Sequence, residues 1–194
     1  YRKSFVIGEE AAGKTFLLNF DGAYKDTYVF VNGTFVGEHH YGYTSFAFDI
    51  TDHLICDGVT ENVVAVKAVN ELPSSRWYSG SGIYRDVTLY ALDPVHVDLN
   101  GVTITTPKIA DGDGTAAIKV DLINDGAAAA EVTVQATIDG VTGQTTVTVP
   151  GYGSAETELE VVVANPELWS LENPNLYRDI YPYDEIPKVA FNHR

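Results

Sequence analysis

Alternation of apolar and polar side chains is the feature that most restricts the fold of this chain. Apolar residues recur at every second position in 132–138 and in 159–163. Because successive side chains of a β-strand point to opposite faces, this pattern predicts strands with one buried and one solvated face, as in antiparallel sandwiches. The apolar set is Val132, Val134, Ala136, Ile138, Leu159, Val161 and Val163; the polar set is Glu131, Thr133, Gln135, Thr137, Glu156, Glu158 and Glu160.

Further strands are predicted on both sides of Asp93-Pro94, and no segment predicts a helix. Residues 62–69 are almost continuously apolar, which indicates a buried central strand. Asn32-Gly33 between two apolar runs predicts a hairpin, because a type I′ turn requires positive φ at both positions. The alternative reading of Asn32 as a glycosylation sequon is weaker for that reason. The other predicted strands are 1–7, 15–20, 28–31, 34–37, 46–49, 87–91, 95–99, 118–123 and 145–149.

The composition changes at Asp93-Pro94, after which aromatic residues become rare and Ala, Thr and Val dominate. We therefore expect two domains, 1–92 and 93–180, followed by a tail or linker remnant at 181–194. No stretch of the sequence is apolar and long enough to predict a membrane-spanning helix.

The chain is strongly acidic, with 12 Lys+Arg against 27 Asp+Glu and a formal charge of -15. This charge repels phosphate backbones and anionic lipids, so nucleic acid and membrane surfaces are excluded as partners, whereas neutral sugars are not affected. The single cysteine, Cys56, is expected to pack as a small apolar side chain. It does not decide between a cytoplasmic and a secreted bacterial protein.

A long loop, residues 70–87, joins two predicted strands and combines aromatic, arginine and glycine residues. It exceeds the length of a plain hairpin, and loops on a rigid β scaffold are common places for binding residues. The indole of Trp77 can stack on a pyranose face, and the guanidinium of Arg76 can donate to hydroxyls. The loop therefore predicts contact with a sugar.

The run from Arg76 to Arg85, Arg-Trp-Tyr-Ser-Gly-Ser-Gly-Ile-Tyr-Arg, resembles the signature of glycoside hydrolase family 2, in its β-galactosidase branch. Residues 37–51 are similar to the family's Gly-x-His-x-Gly-Gly-Tyr-x-x-Phe-x-Phe-Asp-Ile-Thr, except that Tyr41 stands where the family usually has Gly. Residues 1–7 resemble a segment inside the first domain. The resemblance implies an all-β chain: a galactose-binding-like jelly roll lacking its first strands, followed by an immunoglobulin-like β-sandwich.

The resemblance also implies roles for residues of the loop. Asn70, Arg76 and Trp77 are the candidates for the rim of the substrate site. An alternative is that Arg76 braces the loop and Trp77 packs between domains. Loop-shaping roles are expected for Gly80, Gly82, Tyr84 and Arg85.

No catalytic residue is predicted in this chain. In the resembled family both catalytic glutamates belong to a (β/α)8 barrel, which takes ~250 residues, and too few residues follow Tyr177 to form one. Asn70-Glu71 resembles the family's acid/base pair in type but precedes the signature loop, so Glu71 is read as a solvated loop residue. We expect a non-catalytic N-terminal fragment of a β-galactosidase that shapes the substrate rim and contacts the barrel, and a homo-oligomer is one option for the parent. The alternatives are a β-glucuronidase or β-mannosidase fragment, a free-standing carbohydrate-binding module and a structural adhesin-like protein.

Two segments hint at metal ions, and neither predicts a site. His39 and His40 are adjacent on a predicted strand and point to opposite faces. Residues 111–114, Asp-Gly-Asp-Gly, lack the remaining ligands of a calcium loop and suit an ordinary turn. No cofactor is predicted.

Overall fold

The computed structural model describes residues 1–71, 80–178 and 188–189. The chain divides into two compact units, unit 1 (Tyr1–Pro94) and unit 2 (Val95–Arg194). The predicted all-β class is confirmed, because the described residues form antiparallel strands and contain no α-helix. They also contain two single-turn 3₁₀ helices, Glu9–Ala11 and Thr51–His53, which the sequence did not indicate. The predicted bounds 1–92, 93–180 and 181–194 stay predictions.

Unit 1 is built from two main sheets with a small third pairing at their edge. The first sheet has the order β1-β7-β4-β5, the second β6-β2-β9, and β3 pairs with β8. The predicted central position of residues 62–69 is confirmed, since β7 lies between β1 and β4. The strands are β1 (Arg2–Phe5), β2 (Thr15–Phe20), β3 (Ala23–Tyr24), β4 (Thr27–Val31), β5 (Thr34–His39), β6 (Phe46–Asp49), β7 (Asn62–Ala68), β8 (Gly82–Ile83) and β9 (Val87–Leu92).

The core of unit 1 lies between these sheets. Side chains of β2, β4 and β7 meet there, and Phe20 stacks on Phe46 with ring centroids 4.8 Å apart. Cys56 is half-buried against this core, in agreement with its reading as a small apolar residue. Full burial of one Val, Leu, Ile or Phe side chain in this core contributes about 1.5–3 kcal/mol. The buried members are Phe16, Leu18, Phe20, Val29, Val31, Ile50, Val64 and Val66.

The predicted hairpin at Asn32-Gly33 is confirmed. Asn32 and Gly33 have φ of 49° and 83°, as a type I′ turn requires. The Asn32 side chain is engaged as well: its Nδ2 donates to His53 O and to Asn62 Oδ1, and its Oδ1 accepts from Val63 N. These bonds tie the turn to β7.

Unit 2 consists of longer strands joined by tight turns. Its sheets have the orders β10-β11-β14 and β12-β13, and β15 pairs with β16. The alternation predicted for 132–138 and 159–163 is confirmed, because the apolar positions pack into one core and the polar ones face outward. The strands are β10 (Val95–Ala110), β11 (Asp113–Asn124), β12 (Ala130–Ile138), β13 (Val141–Val149), β14 (Gly153–Ala164), β15 (Tyr177–Arg178) and β16 (Lys188–Val189).

Strand β10 is much longer than the predicted 95–99. Asn100-Gly101 and Pro107 resemble strand breakers, but the strand passes them as irregularities in its pairing with β11, with Asn100 at a φ of 102°. The strand then ends in a turn at Asp111 and Gly112, whose φ angles are 55° and 89°. The Asp-Gly-Asp-Gly run is therefore a hairpin turn, as ordinary turn chemistry predicted.

Candidate functional site

The candidate site lies around the two ends of the 70–87 loop. Arg76 and Trp77 lie outside the described residues, so their rim roles stay predictions. The described part of the loop comprises Asn70, Glu71 and residues 80–87. It contains the other five residues that the sequence singled out.

Asn70 closes the base of the loop. Its Nδ2 donates a 2.7 Å hydrogen bond to Ser81 Oγ, which joins residues eleven positions apart. The Oδ1 atom of Asn70 is buried and has no hydrogen-bond partner among the described residues. Leaving a buried acceptor unpaired costs about 1–3 kcal/mol, so this oxygen is a candidate acceptor for a ligand hydroxyl.

Gly82 lies in β8 where space is lacking. Its φ is 97°, and a Cβ at this position would collide with the Tyr1 hydroxyl, which also accepts a 3.3 Å hydrogen bond from Ile83 N. Only glycine fits both conditions without strain. Gly80 differs, because none of the described residues lies within 4 Å of the place where its Cβ would be.

Tyr84 connects the exit of the loop with two other segments. Its hydroxyl donates a 2.7 Å hydrogen bond to Gly42 O, and its ring lies so close to Gly22 that a Cβ there would be 2.6 Å from Tyr84 Cζ. The guanidinium carbon of Arg85 lies 5.4 Å from the centre of the Tyr84 ring, within the range of a cation–π contact.

Two further tyrosines, Tyr41 and Tyr43, flank the carbonyl of Gly42 to which Tyr84 donates, and the sequence did not indicate a site role for them. Tyr43 meets Tyr41 edge-on at 5.8 Å and the buried Tyr24 at 5.4 Å. Tyr41, Tyr43 and Tyr84 are 57%, 48% and 47% exposed. The signal in the sequence is Tyr41, which stands where the family usually has Gly.

His39 and His40 make separate contacts and do not form a metal pair. His39 Nε2 lies 3.0 Å from Thr44 Oγ1. The ring nitrogens of His40 lie 3.1 Å from Asp26 Oδ1 and 3.2 Å from Glu38 Oε1. The hydrogen bonds that His40 donates to Asp26 and, second in size of effect, to Glu38 raise the pKa of His40 above its ordinary value. Across the described ranges no group of three or more His, Cys, Asp or Glu side chains could hold a metal ion.

Hydrogen bonds from Thr60 lower the pKa of the Asp57 carboxyl group, and a hydrogen bond from Lys14 lowers that of Asp93. A general acid at neutral pH needs the opposite shift. No helix in the part of the chain that the structure describes is long and apolar enough to cross a membrane.

Comparisons with known proteins agree with this arrangement. Residues 1–94 match the model "Glycosyl hydrolases family 2, sugar binding domain", and residues 95–180 match the model "Glycosyl hydrolases family 2". The matches define the chain as a pair of β domains from the glycoside hydrolases. More narrowly, the chain belongs to glycosyl hydrolases family 2, which confirms the resemblance drawn from the sequence.

The similar proteins include both β-galactosidases and β-glucuronidases. The chain is 38% identical to β-galactosidase BoGH2A of Bacteroides ovatus over 91% of its own length and 21% of that protein. It is 30% identical to a β-glucuronidase of Bacteroides fragilis over 92% and 28%. The crystal structure of a family 2 member from Bacteroides cellulosilyticus superposes with a TM-score of 0.85 at 32% identity, covering 97% of this chain and 27% of that one. The predicted jelly roll followed by an immunoglobulin-like sandwich is thereby confirmed, and the chain spans about a fifth to a quarter of the curated relatives it matches.

Proposed function

We propose that this chain is the sugar-facing, non-catalytic part of a glycoside hydrolase of the β-galactosidase type. In this proposal residues 1–92 line the rim of the substrate site, and residues 93–180 support the rest of the protein and its oligomer contacts. The catalytic carboxylates belong to a barrel elsewhere in the longer protein. Asn70, Arg76 and Trp77 contact the sugar, and Gly80, Gly82, Tyr84 and Arg85 shape the loop.

The observation that carries this proposal is the unpaired Oδ1 of Asn70. The other half of the same amide is held by Ser81, so the orientation of the acceptor is set before a ligand arrives. A ligand hydroxyl that donates to this oxygen would recover the free energy lost by its burial. Preorganised acceptors of this kind give orientation and specificity in sugar sites.

Asn62, in the same unit, shows what a structural asparagine looks like here. It is fully buried, its Oδ1 accepts from Ile55 N at 2.8 Å, and its Nδ2 donates to Ile55 O at 2.8 Å. Both halves of that amide are paired within the protein. The unpaired half of the Asn70 amide supports a role toward a ligand.

The test is a kinetic comparison in the full-length protein that contains these residues. We expect Asn70→Ala to raise KM for an aryl β-galactoside roughly 3- to 10-fold, the value of one hydrogen bond. Asn70→Asp keeps an acceptor at the same place and should retain most of the binding. Asn175→Ala, which removes a half-buried amide of unit 2 that donates to Glu167 O, serves as the matched control.

Unchanged kinetic constants in Asn70→Ala would remove the rim role. An aryl β-glucuronide assayed in parallel separates the alternative activity, because relatives of both names exist. The 194-residue chain alone should release no chromophore from either substrate; turnover by it would contradict the non-catalytic assignment. A chain that binds sugar and lacks any barrel in its parent gene would favour the free-standing module.

A further inference from the structure

We propose that Tyr41, Tyr43 and Tyr84, here called the tyrosine rim, form a second sugar-binding surface that takes a neutral oligosaccharide. This inference rests on the proposal that unit 1 contacts sugar and extends it beyond a single sugar residue. Tyr43 and Tyr84 lie in the two segments that resemble family motifs, and Tyr41 stands where the family usually has Gly; the resemblance implies a sugar contact for none of the three.

The tyrosine rim is contiguous and held in place. Tyr84 donates its hydroxyl proton to Gly42 O, the carbonyl between Tyr41 and Tyr43, at 2.7 Å. Tyr43 is wedged edge-on between Tyr41 and the buried Tyr24. Edge-to-face contacts fix the rings while leaving ring surface open, so little side-chain entropy remains to be lost on binding.

The three tyrosines of the rim are each about half exposed. Tyrosines that combine an exposed ring with a fixed position are typical of binding surfaces, since each offers a large apolar area and a polar tip. The centroids of the Tyr41 and Tyr43 rings lie 5.8 Å apart, so the two rings are in direct contact.

Chemistry and charge favour a neutral sugar as the occupant. A pyranose presents a C–H face that packs on an aromatic ring, and its hydroxyls can bond to the phenol groups and to the exposed guanidinium of Arg85. The chain carries a formal charge of -15, which opposes a polyuronate or a nucleic acid. The rim also adjoins the segment that holds Ser81 and Gly82, and so continues the surface that begins at Asn70.

The test is binding of defined ligands to the 194-residue chain, measured by titration calorimetry and by saturation-transfer NMR. The probes are β-1,4-galactotetraose, galactose and tetragalacturonate. We expect the tetraose to bind at least about tenfold more tightly than galactose, and Tyr41→Ala and Tyr43→Ala each to weaken it about tenfold. Tetragalacturonate should bind more weakly than the tetraose.

Tyr152→Ala is the matched control, because Tyr152 is an exposed tyrosine of unit 2, 77% exposed. Circular dichroism melts check that every variant is folded. No saturable binding of the tetraose, or equal losses in Tyr41→Ala and Tyr152→Ala, would overturn the proposal. Asn70→Ala is measured in the same series. Loss of tetraose binding in Tyr41→Ala but not in Asn70→Ala would support the tyrosine rim and contradict the role of Asn70. Loss in Asn70→Ala but not in Tyr41→Ala would support the role of Asn70 and contradict the rim.

Discussion

Asn70 in unit 1 and Asn124 in unit 2 sit at corresponding places, each just after or at the end of a long strand. Asn124 is 1% exposed; its Nδ2 donates to Ala128 O at 2.8 Å and to Val149 O at 3.2 Å, and its Oδ1 accepts from Gly126 N at 2.9 Å. Asn70 donates to Ser81 and leaves Oδ1 unpaired among the described residues. The same residue type closes a turn in one unit and offers an acceptor in the other.

The two units also differ in the lengths of their strands and in the connections between them. Strands β10 and β11 of unit 2 have 16 and 12 residues and meet in a two-residue turn, whereas β3 and β8 of unit 1 have two residues each. Long ladders satisfy their own backbone groups. Short strands leave more of the chain in connections, and these connections hold the tyrosines, glycines and amides that can meet a ligand.

The largest expected effect tests whether each unit has its own core. Phe20→Ala removes a fully buried ring stacked on Phe46, and we expect a loss of about 3–5 kcal/mol in unit 1. Ile138→Val, at a fully buried position of unit 2, should cost only about 0.5–1.5 kcal/mol. Amide exchange resolved by residue measures each unit separately. An equal loss of protection in unit 2 on Phe20→Ala would contradict the division.

An intermediate effect compares two glycines with positive φ. Gly140, in the turn between β12 and β13, has a φ of 79° and open space around it, so Gly140→Ala should cost about 1–2 kcal/mol of backbone strain. Gly82→Ala carries the same strain and also meets the Tyr1 hydroxyl, so its loss of stability in denaturant titrations should be larger. Tyr1→Phe should recover part of the Gly82→Ala loss. Equal losses at the two glycines would show that the space at Gly82 is not restricted.

The smallest effect concerns pH and unit 1 alone. Asp26 and Glu38 raise the pKa of His40 above the ordinary 6.5. The protonated ring therefore stabilises the folded chain fully below pH 6.5, and this contribution disappears as pH rises through the folded-state pKa. We expect the difference in Tm between the protein and His40→Gln to be greatest near pH 5.5 and to vanish at alkaline pH. His53→Gln is the control, and a difference independent of pH would contradict the contribution.

Much of the fold could be predicted because it depends on short-range patterns. Alternation placed β12 and β14, and Asn32-Gly33 placed a hairpin, since both follow from the two-residue period of a strand and the φ that a turn demands. The full length of β10 could not be predicted. Its irregularities at Asn100 and near Pro107 are tolerated only because β11 pairs on both sides of them.

The candidate site was harder to predict than the fold. Tyr84 and Gly82 were singled out by a resemblance, but their contacts with Gly42, Gly22 and Tyr1 join residues far apart in sequence. Nothing in the sequence indicated that Tyr41 and Tyr43 are exposed, because the exposure of a ring depends on which neighbours cover it. The unpaired acceptor of Asn70 is likewise a property of the folded surroundings and leaves no trace in composition or spacing.

The hydrogen bond between Asn70 and Ser81 fixes both ends of the intervening segment, so the length of that segment can change with little effect on the stability of the sandwich. With both ends fixed, doubling the number of residues between them adds only about 0.6 kcal/mol of closure entropy. A scaffold of this kind can exchange its insert almost freely. New specificities could therefore arise by replacement of the segment between Asn70 and Ser81, without repacking a single strand.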